Sequence, residues 1–404
     1  MSRPLGARAG GAGSAPQFVV HGSRYGRGVA TSEIDPDQLS QFSLKVFATI
    51  EGAVTAGMIH LGDRLGLYAA LKAVGRPVSS LELAASLGLH ERWVREWAYN
   101  QAAASIISVD AAPADVDVSS DAHASHQARE LFSLTPEAEA VLATPDHPAY
   151  GMGMFHRLPQ TMNALEDMPS SFSTGIGHNY DSHGPEGAVG IERSFGPWNN
   201  ANLVATVLPT LDGVVDKLTA GAHVADVGCG AGGAVVLMAD AFPASTFTGY
   251  DISRHALERA TVKLEAAGLH NASVVDPQAS PMPTDHSIDF ITTFDCIHDM
   301  THPQQTMNAI RAAIAADGTW LLVEIKALDT FAENVGKNPM AALMYGISVL
   351  SCMSSAMSEP DGAGLGTLGL SENRAREMAT IAGFTRFQRI KIDHPVNAFY
   401  EIRP

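Results

Sequence analysis

The chain has little of what marks secreted or membrane-spanning proteins. Its 404 residues include three cysteines, Cys229, Cys296 and Cys352, without a CxxC pair, which excludes a disulfide framework and a zinc ribbon. No uninterrupted apolar run reaches the ~18 residues that suggest a membrane span, and the N-terminus lacks the apolar core of a secretory signal. We therefore expect a soluble, cytoplasmic protein without a membrane partner.

Basic side chains are scarce as well. Only 26 lysines and arginines face 43 acidic residues, and the resulting net charge of −17 disfavours nucleic acid as a partner. His178, Asp181 and His183 of a Gly-rich segment show no i, i+4 or CxxC ligand spacing, so no metal site is expected there. What the chain does have is 46% hydrophobic residues, enough for at least one sizeable core and two or three domains.

Residues 1–38 are rich in Gly, Ala, Ser and Arg, with no acid before Glu33. This composition is typical of a disordered leader. An organelle transit peptide shares the Arg-rich, acid-poor character and stays open as the alternative.

Residues 39–150 carry the pattern of a mainly α-helical winged-helix domain. A helix capped at Ser79 or Ser80, a turn at Gly88, a second helix and two strand candidates follow one another. Before them, apolar residues recur at steps of three and four, which predicts an amphipathic helix packed on a neighbour. The residues of this stripe are Phe47, Ile50, Val54, Met58 and Leu61.

The second helix of this domain would be the recognition helix of a DNA-binding protein. Arg92 and Arg95 stand there beside two glutamates, and Trp93 and Trp97 are expected to be buried rather than to face DNA. We therefore expect this domain to form a homodimer and to close the substrate pocket. Residues 110–130 between the strands are predicted to be a solvated loop.

Residues 151–204 are predicted to form a helical bridge with a Gly-rich lid loop at 175–187. From 205 to 404, strand-like runs alternate with helical patterns, which is typical of an α/β domain with a parallel sheet. FTRFQRIKI and NAFYEIRP, joined by a short turn, predict an antiparallel hairpin at the C-terminus.

The sequence VADVGCGAGG places Gly228, Gly230 and Gly232 between a strand and a helix, which allows a ligand to approach the backbone closely. Asp251, after the next strand, is positioned for ribose hydroxyls. A nicotinamide dinucleotide fits the same pattern. Asp226 favours a cationic ligand instead, because a carboxylate lies poorly beside a diphosphate. An NAD-dependent oxidoreductase remains an alternative.

These motifs resemble class I S-adenosylmethionine (SAM) dependent methyltransferases, whose first motif is an acid, one residue and GxGxG. The resemblance implies a Rossmann-like seven-stranded sheet with the reversed C-terminal hairpin. It also implies that Asp226 and the glycines contact the methionyl part of SAM and Asp251 the ribose. The remaining cofactor residues that we assign are Ile252, Asp276, Gln278, Ala279, Phe294 and Asp295.

The adenine contact departs from the family pattern. An acid is usual five residues before a proline such as Pro283, and that position here is Gln278, so Asp276 is the substitute. The upstream half, with HLGDRLGLYAAL and the winged helix, is similar to actinobacterial methyltransferases with an N-terminal winged-helix domain.

His298 follows the fourth strand of the α/β domain and would lie at the carboxyl edge of the sheet, where ligands bind. Small-molecule O-methyltransferases with a winged-helix partner carry a general-base histidine in a similar HD dipeptide, and the likeness makes His298 the candidate base. Alternatively, His298 bonds a loop carbonyl and Asp299 caps the next helix.

His178 and Tyr180 of the lid loop, and Tyr345 of an apolar insertion at 339–357, are the candidate substrate contacts. The expected function is methyl transfer from SAM to a small molecule whose O, S, N or C atom is not determined by the sequence. A winged-helix regulator that senses SAM or another metabolite without turnover is the competing class.

Overall fold

The computed structural model describes residues 34–111 and 130–404. The predicted leader and the predicted loop at 110–130 lie almost entirely outside these residues. The chain divides into two units, residues 1–50 and 51–404. In the described part of the first unit, helix α1 (Pro36–Arg64) begins where the Asp35 carboxylate accepts a hydrogen bond from the backbone N of Asp37 at 2.9 Å.

The winged-helix prediction is confirmed. Ser79 caps α3 through a 3.2 Å bond from the backbone N of Glu82, and β1 pairs antiparallel with β2. Residues such as Tyr68, Leu83 and Phe132 fill a core that belongs to this region. Its elements after α1 are α2 (Leu67–Val74), α3 (Ser80–Leu87), α4 (Glu91–Ala103), β1 (Ser108–Ala111) and β2 (Glu130–Ser133).

Of the two tryptophans on α4, only Trp97 is buried as expected. Its Nε1 donates to the carbonyl of Met58 at 2.9 Å, whereas Trp93 is 78% exposed, so the expectation of burial was wrong for Trp93. The two side chains are four residues apart, so their directions differ by 40° around the helix axis. The edge of the core lies between these two directions. Both arginines of α4, Arg92 and Arg95, pair with glutamates of the same helix.

The predicted apolar stripe of α1 is packed only in part, since Met58 contacts the winged-helix core. Phe47, Ile50 and Val54 are each more than half exposed. By length and composition α1 could cross a membrane, a criterion that the core helix of a soluble protein and a signal sequence also meet. An exposed stripe of this kind needs a partner, which is considered below.

The bridge connects the winged-helix region to the sheet. Arg193 donates two hydrogen bonds, at 2.7 and 2.8 Å, to the Asp63 carboxylate of α1, a bidentate ion pair. The bridge elements are α5 (Pro136–Ala138), α6 (Met152–His156), α7 (Leu158–Asn163), α8 (Met168–Thr174), a 3₁₀ turn (Tyr180–His183) and α9 (Gly184–Asn202).

The remainder of the described chain builds a seven-stranded sheet in the order β5-β4-β3-β6-β7-β9-β8. All pairs are parallel except those of β9, which runs antiparallel to both β7 and β8, so the Rossmann-like fold and the C-terminal hairpin are confirmed. The strands are β3 (His223–Val227), β4 (Thr246–Tyr250), β5 (Ala272–Val275), β6 (Ile288–Phe294), β7 (Ile314–Ile325), β8 (Arg386–Ile390) and β9 (Asn397–Arg403).

Helices cover both faces of this sheet, which is why its central strands are apolar on both sides. Val224 and Phe290 point into one core, and their strand neighbours Ala225 and Ile291 into the other, as the two-residue period of a strand requires. The helices are α10 (Val214–Ala220), α11 (Gly233–Ala241), α12 (Arg254–Ala266), α13 (Pro303–Ala313), α14 (Phe331–Lys337), α15 (Ala341–Leu350), α16 (Cys352–Ala356) and α17 (Glu372–Ile381).

The order of strands reverses between β3 and β6, which are neighbours in the sheet. Parallel sheets leave a crevice at the carboxyl edge where this reversal occurs. The glycine motif follows β3 and the HD dipeptide follows β6, so both lie at this crevice.

Candidate active site

The glycine loop connects β3 to α11 and leaves no room for a side chain at its first glycine. Gly228 has a φ of 71°, and a Cβ there would lie 2.7 Å from the Cys296 side chain. The backbone N of Gly230 donates to the Asp251 carboxylate at 2.7 Å, and that of Ser253 donates to its other oxygen at 2.8 Å. These bonds hold Asp251 beside the loop, with lone pairs left for ligand hydroxyls.

Asp226 is 2% exposed and lies on β3 just before the glycines. One of its oxygens accepts a 2.7 Å bond from the Thr292 hydroxyl, and no cation of the described residues lies within 4.0 Å of it. Burial raises the pKa of Asp226 to about 7, and the nearby Asp251 carboxylate adds to the rise. A buried carboxylate without a counter-charge is typical of a site that binds a cation.

Two more acids line the same edge after β6. Burial raises the pKa of Asp295 and that of Asp299 to about 7, although nearby His298 opposes the rise in both. Asp295 also has a φ of 49°, unusual for a residue with a side chain, and accepts a bond from Asn397 of β9. The crevice is thus strongly acidic, and its donor set fits a ligand with a positive charge and with hydroxyl groups.

His298 is 2% exposed, on a 3₁₀ turn (Ile297–Asp299) directly after β6. Its Nδ1 lies 2.6 Å from the carboxylate of Glu324 on β7, which also accepts a 3.0 Å bond from the backbone N of Ile297. Burial alone would lower the pKa of His298, but the Glu324 charge overcomes it and raises the pKa well above the usual value. Glu324 therefore holds Nδ1 and leaves Nε2 to act on a ligand.

Both structural alternatives for the HD dipeptide are wrong. His298 bonds a carboxylate rather than a loop carbonyl, and α13 begins after His302 without any side-chain cap from Asp299. Cys352, at the start of α16 in the apolar insertion, lies next to them: one donor atom each of His298, Asp299 and Cys352 are within 4.8 Å of one another.

The lid loop contacts the segment that follows Asp251. Asp181 accepts a 2.9 Å bond from the hydroxyl of Ser253, two residues after Asp251. At the loop's other end, the backbone N of His178 donates to the Ser354 hydroxyl at 2.9 Å, which attaches the loop to α16. Tyr180 stacks edge-on against His183 at 5.2 Å between ring centres. The bridge, the glycine loop and the insertion therefore meet at one place.

Other predicted residues lie at the edge of this site or away from it. The Asp276 carboxylate accepts a 2.8 Å bond from the backbone N of Gln278 in the turn after β5, and both Gln278 and Ala279 are exposed. Ile252 is 56% exposed and Phe294 half-buried. Tyr345 packs its ring 5.7 Å from that of Phe331 and has no described contact with the His298 cluster.

Glu324 was not among the predicted site residues. The signal was present, because Glu324 is the one acid of the apolar strand TWLLVEI, and a buried acid needs a reason. Which residue it would meet could not be read from the sequence.

A model of the family described as a methyltransferase domain matches residues 218–383. Residues 218–383 are thus similar to a methyltransferase domain. The glycine loop, Asp226, Asp251, His298 and Glu324 all lie within that domain. Upstream of it, a model described as an Rv2258c-like winged HTH domain matches residues 53–129. No curated protein gives a match to the chain.

Solved structures with a methyltransferase domain share the fold over nearly their whole length. Mitomycin 7-O-methyltransferase MmcR is 17% identical at a TM-score of 0.62, with 91% of this chain and 99% of that chain covered. Human N-acetylserotonin methyltransferase, solved in complex with SAM, is 15% identical at a TM-score of 0.60, with 93% and 99% covered. CalO1, a methyltransferase in calicheamicin biosynthesis solved with S-adenosylhomocysteine (SAH), is 14% identical at 0.58, with 92% and 100% covered.

Proposed function

We propose that this protein transfers the methyl group of SAM to a small molecule. The observation that carries the proposal is Asp226, a buried carboxylate beside the glycine loop without a cationic partner. SAM brings a positively charged ammonium and sulfonium to that position and ribose hydroxyls to Asp251. The SAM and SAH complexes of similar structures support the same choice.

NAD is the competing cofactor, and the charge of the site argues against it. Its diphosphate would lie at the glycine loop, beside Asp226 and within reach of the charge of Asp251. Two like charges about 4 Å apart repel by about 1 kcal/mol in water and by several times more at the effective dielectric of a protein site. The acidic crevice therefore favours SAM.

SAM supplies an electrophilic methyl group, and the proposed role of the protein is to position the acceptor and remove its proton. His298 is the proposed general base. Nδ1–H donates to Glu324, which orients the ring and stabilises its positive charge. Because the pKa of His298 is raised, Nε2 must first lose its own proton to solvent; it then accepts the proton of the acceptor as that atom attacks the methyl group, so activity should rise with pH. A base in this position favours an acceptor that must lose a proton, such as a hydroxyl, over one that need not.

The acceptor is proposed to be small because the site is covered. Lid loop and insertion both lie against it, through the bonds of Asp181 to Ser253 and of His178 to Ser354. The similar structures include a mitomycin and an N-acetylserotonin methyltransferase, whose names agree with a small acceptor. We do not favour the regulator hypothesis, since the arginines of α4 are paired with its own glutamates instead of being offered to phosphates.

The homodimer is proposed to form through α1, with a second copy of this chain covering its exposed apolar stripe, and the protein is proposed to act in the cytoplasm. A membrane could cover the same stripe, but Lys45 and Glu51 lie among its residues. Light scattering after size exclusion should give a dimer for the wild type and a monomer for Val54→Asp. A wild-type monomer, or flotation with liposomes, would contradict this assignment.

Calorimetric titration with SAH and, separately, with NAD tests the cofactor. SAH should bind with micromolar affinity and NAD should not bind, because SAH offers an ammonium group to Asp226, whereas NAD would bring a negatively charged diphosphate into the acidic crevice. Asp226→Ala and Asp251→Ala should abolish SAH binding, whereas Glu258→Gln, an exposed acid of α12, serves as the matched control and should bind normally. NAD binding that survives Asp226→Ala would overturn the proposal.

A further inference from the structure

Arg157, between α6 and α7, carries a buried positive charge that the described protein does not neutralise. It is 4% exposed. Its Nη2 donates to the hydroxyl of Ser351 at 3.1 Å and its Nε to that of Thr161 at 3.4 Å. Among the described residues, no carboxylate oxygen lies within 4.0 Å of its guanidinium group.

Such an arrangement is costly, because arginine stays charged in proteins and a buried charge needs a counter-charge. Arg193 provides the contrast: it lies in the same bridge and is more exposed, yet it makes a bidentate ion pair with Asp63. The bridge therefore pairs one arginine and leaves the other to two neutral hydroxyls.

The described side chains around Arg157 carry no charge. The Ser351 hydroxyl lies 2.9 Å from Nε2 of His183, and burial, together with the Arg157 charge, lowers the pKa of His183 to about 4. His183 is thus uncharged at neutral pH, and the Ser351 hydroxyl shares a hydrogen bond with its Nε2 while accepting one from Arg157. Gly190 of α9 makes room for this side chain, since a Cβ on Gly190 would lie 2.7 Å from the Arg157 Cβ.

This positive group is connected to the surroundings of the proposed base through Ser351. Ser351 directly precedes Cys352, whose sulfur lies within 4.8 Å of the donor atoms of His298 and Asp299. Tyr180 lies within electrostatic reach of Asp299, Arg157 and Asp251 together. A small acceptor at His298 can therefore extend to Arg157.

We propose that Arg157 binds a carboxylate of the methyl acceptor, and that the acceptor is therefore a hydroxy acid whose hydroxyl faces His298. This inference rests on the proposed methyltransferase function. With Nε and one hydrogen of Nη2 in use, Nη1 and the other Nη2 hydrogen remain, and these two donors form the end of the guanidinium fork that takes a carboxylate in bidentate fashion.

Ligand pairs that differ only in charge test the inference. The 2-, 3- and 4-hydroxybenzoates and the three matching hydroxybenzamides are titrated into protein saturated with SAH. At least one acid should bind about tenfold or more tightly than its amide, and Arg157→Met should remove that preference. Equal binding of acid and amide in all three pairs, or an unchanged preference in Arg157→Met, would overturn it.

SAH binding is measured first in each protein. Absence of SAH binding by the wild type contradicts the methyltransferase function itself, whereas SAH binding without any preference for acids contradicts only the role of Arg157.

Thermal unfolding gives a second readout that needs no acceptor. Arg157→Met removes an uncompensated charge and keeps the volume, so its Tm should equal or exceed that of the wild type. Arg193→Met, which breaks a formed ion pair, should lower the Tm. An Arg157→Met variant that is destabilised as much as Arg193→Met, or that fails to fold, would show that Arg157 is structural.

Discussion

Replacement of Asp226 by asparagine should change how SAH binding depends on pH. With a pKa of about 7 in the ligand-free protein, half of Asp226 is protonated at neutral pH. The ammonium group of SAH binds the carboxylate and not the acid, so binding expels this proton. Affinity should therefore rise with pH, by about tenfold between roughly pH 6 and pH 8 for this one group.

The raised pKa of Asp226 also determines how the stability of the ligand-free protein changes with pH. A folded pKa of about 7 against the ordinary 3.8 means that the folded state favours the protonated form. The corresponding stability is fully present below 3.8 and is lost as the pH rises through about 7. Three pKa units correspond to about 4 kcal/mol at most. The ligand-free protein should accordingly melt earlier at pH 8 than at pH 6, and SAH should restore more stability at pH 8.

The assay is calorimetric titration of SAH at pH 6, 7 and 8, with melting curves at the same values. Asp226→Asn keeps the acceptor oxygen for Thr292, so the fold should be retained. It should bind SAH at least tenfold more weakly than the wild type at pH 8 and depend less steeply on pH, while Glu258→Gln follows the wild type. Wild-type affinity and slope in Asp226→Asn would refute the reasoning, because Asp226 would then not face the cationic group.

Further predictions concern the proposed base and its surroundings. Glu324→Gln removes the charge that raises the pKa of His298, so the acidic limb of the activity profile should move to lower pH while kcat falls; an unmoved limb would exclude His298 as the titrating base. N-Ethylmaleimide should inactivate the wild type but not Cys352→Ser, because Cys352 is more exposed than the buried Cys229 and lies beside His298; equal inactivation of both proteins would contradict this. Thr292→Val removes the side-chain hydrogen bond to Asp226 and should raise the pKa of Asp226 further. The pH at which SAH affinity rises should therefore be higher in this variant than in the wild type.

The cofactor side of the site could be predicted from sequence because its parts are local. Gly228, Gly230 and Asp226 lie within a few residues of one another, and a strand, a tight turn and a helix follow from that order alone. Asp251 needs only one more strand. His298 was found because the end of a parallel strand has a known position in such a sheet.

Pairs that are distant in sequence could not be found in this way. The partner of His298 is 26 residues away on another strand, and Arg157 meets Ser351 only because bridge and insertion fold against each other. The expected burial of Trp93 was wrong for a related reason. A helical pattern identifies an apolar face, but where that face ends depends on the elements packed against it.

The hydrogen bond between Asp181 and Ser253 couples cofactor binding at Asp251 to the position of the lid loop. Ser253 donates its backbone N to Asp251 and its hydroxyl to Asp181, so the residue proposed to hold the ribose and the lid loop share a single support. A cofactor that occupies Asp251 would steady this support before the lid closes on an acceptor. We therefore expect compulsory-order kinetics, with the cofactor first to enter and its demethylated product last to leave.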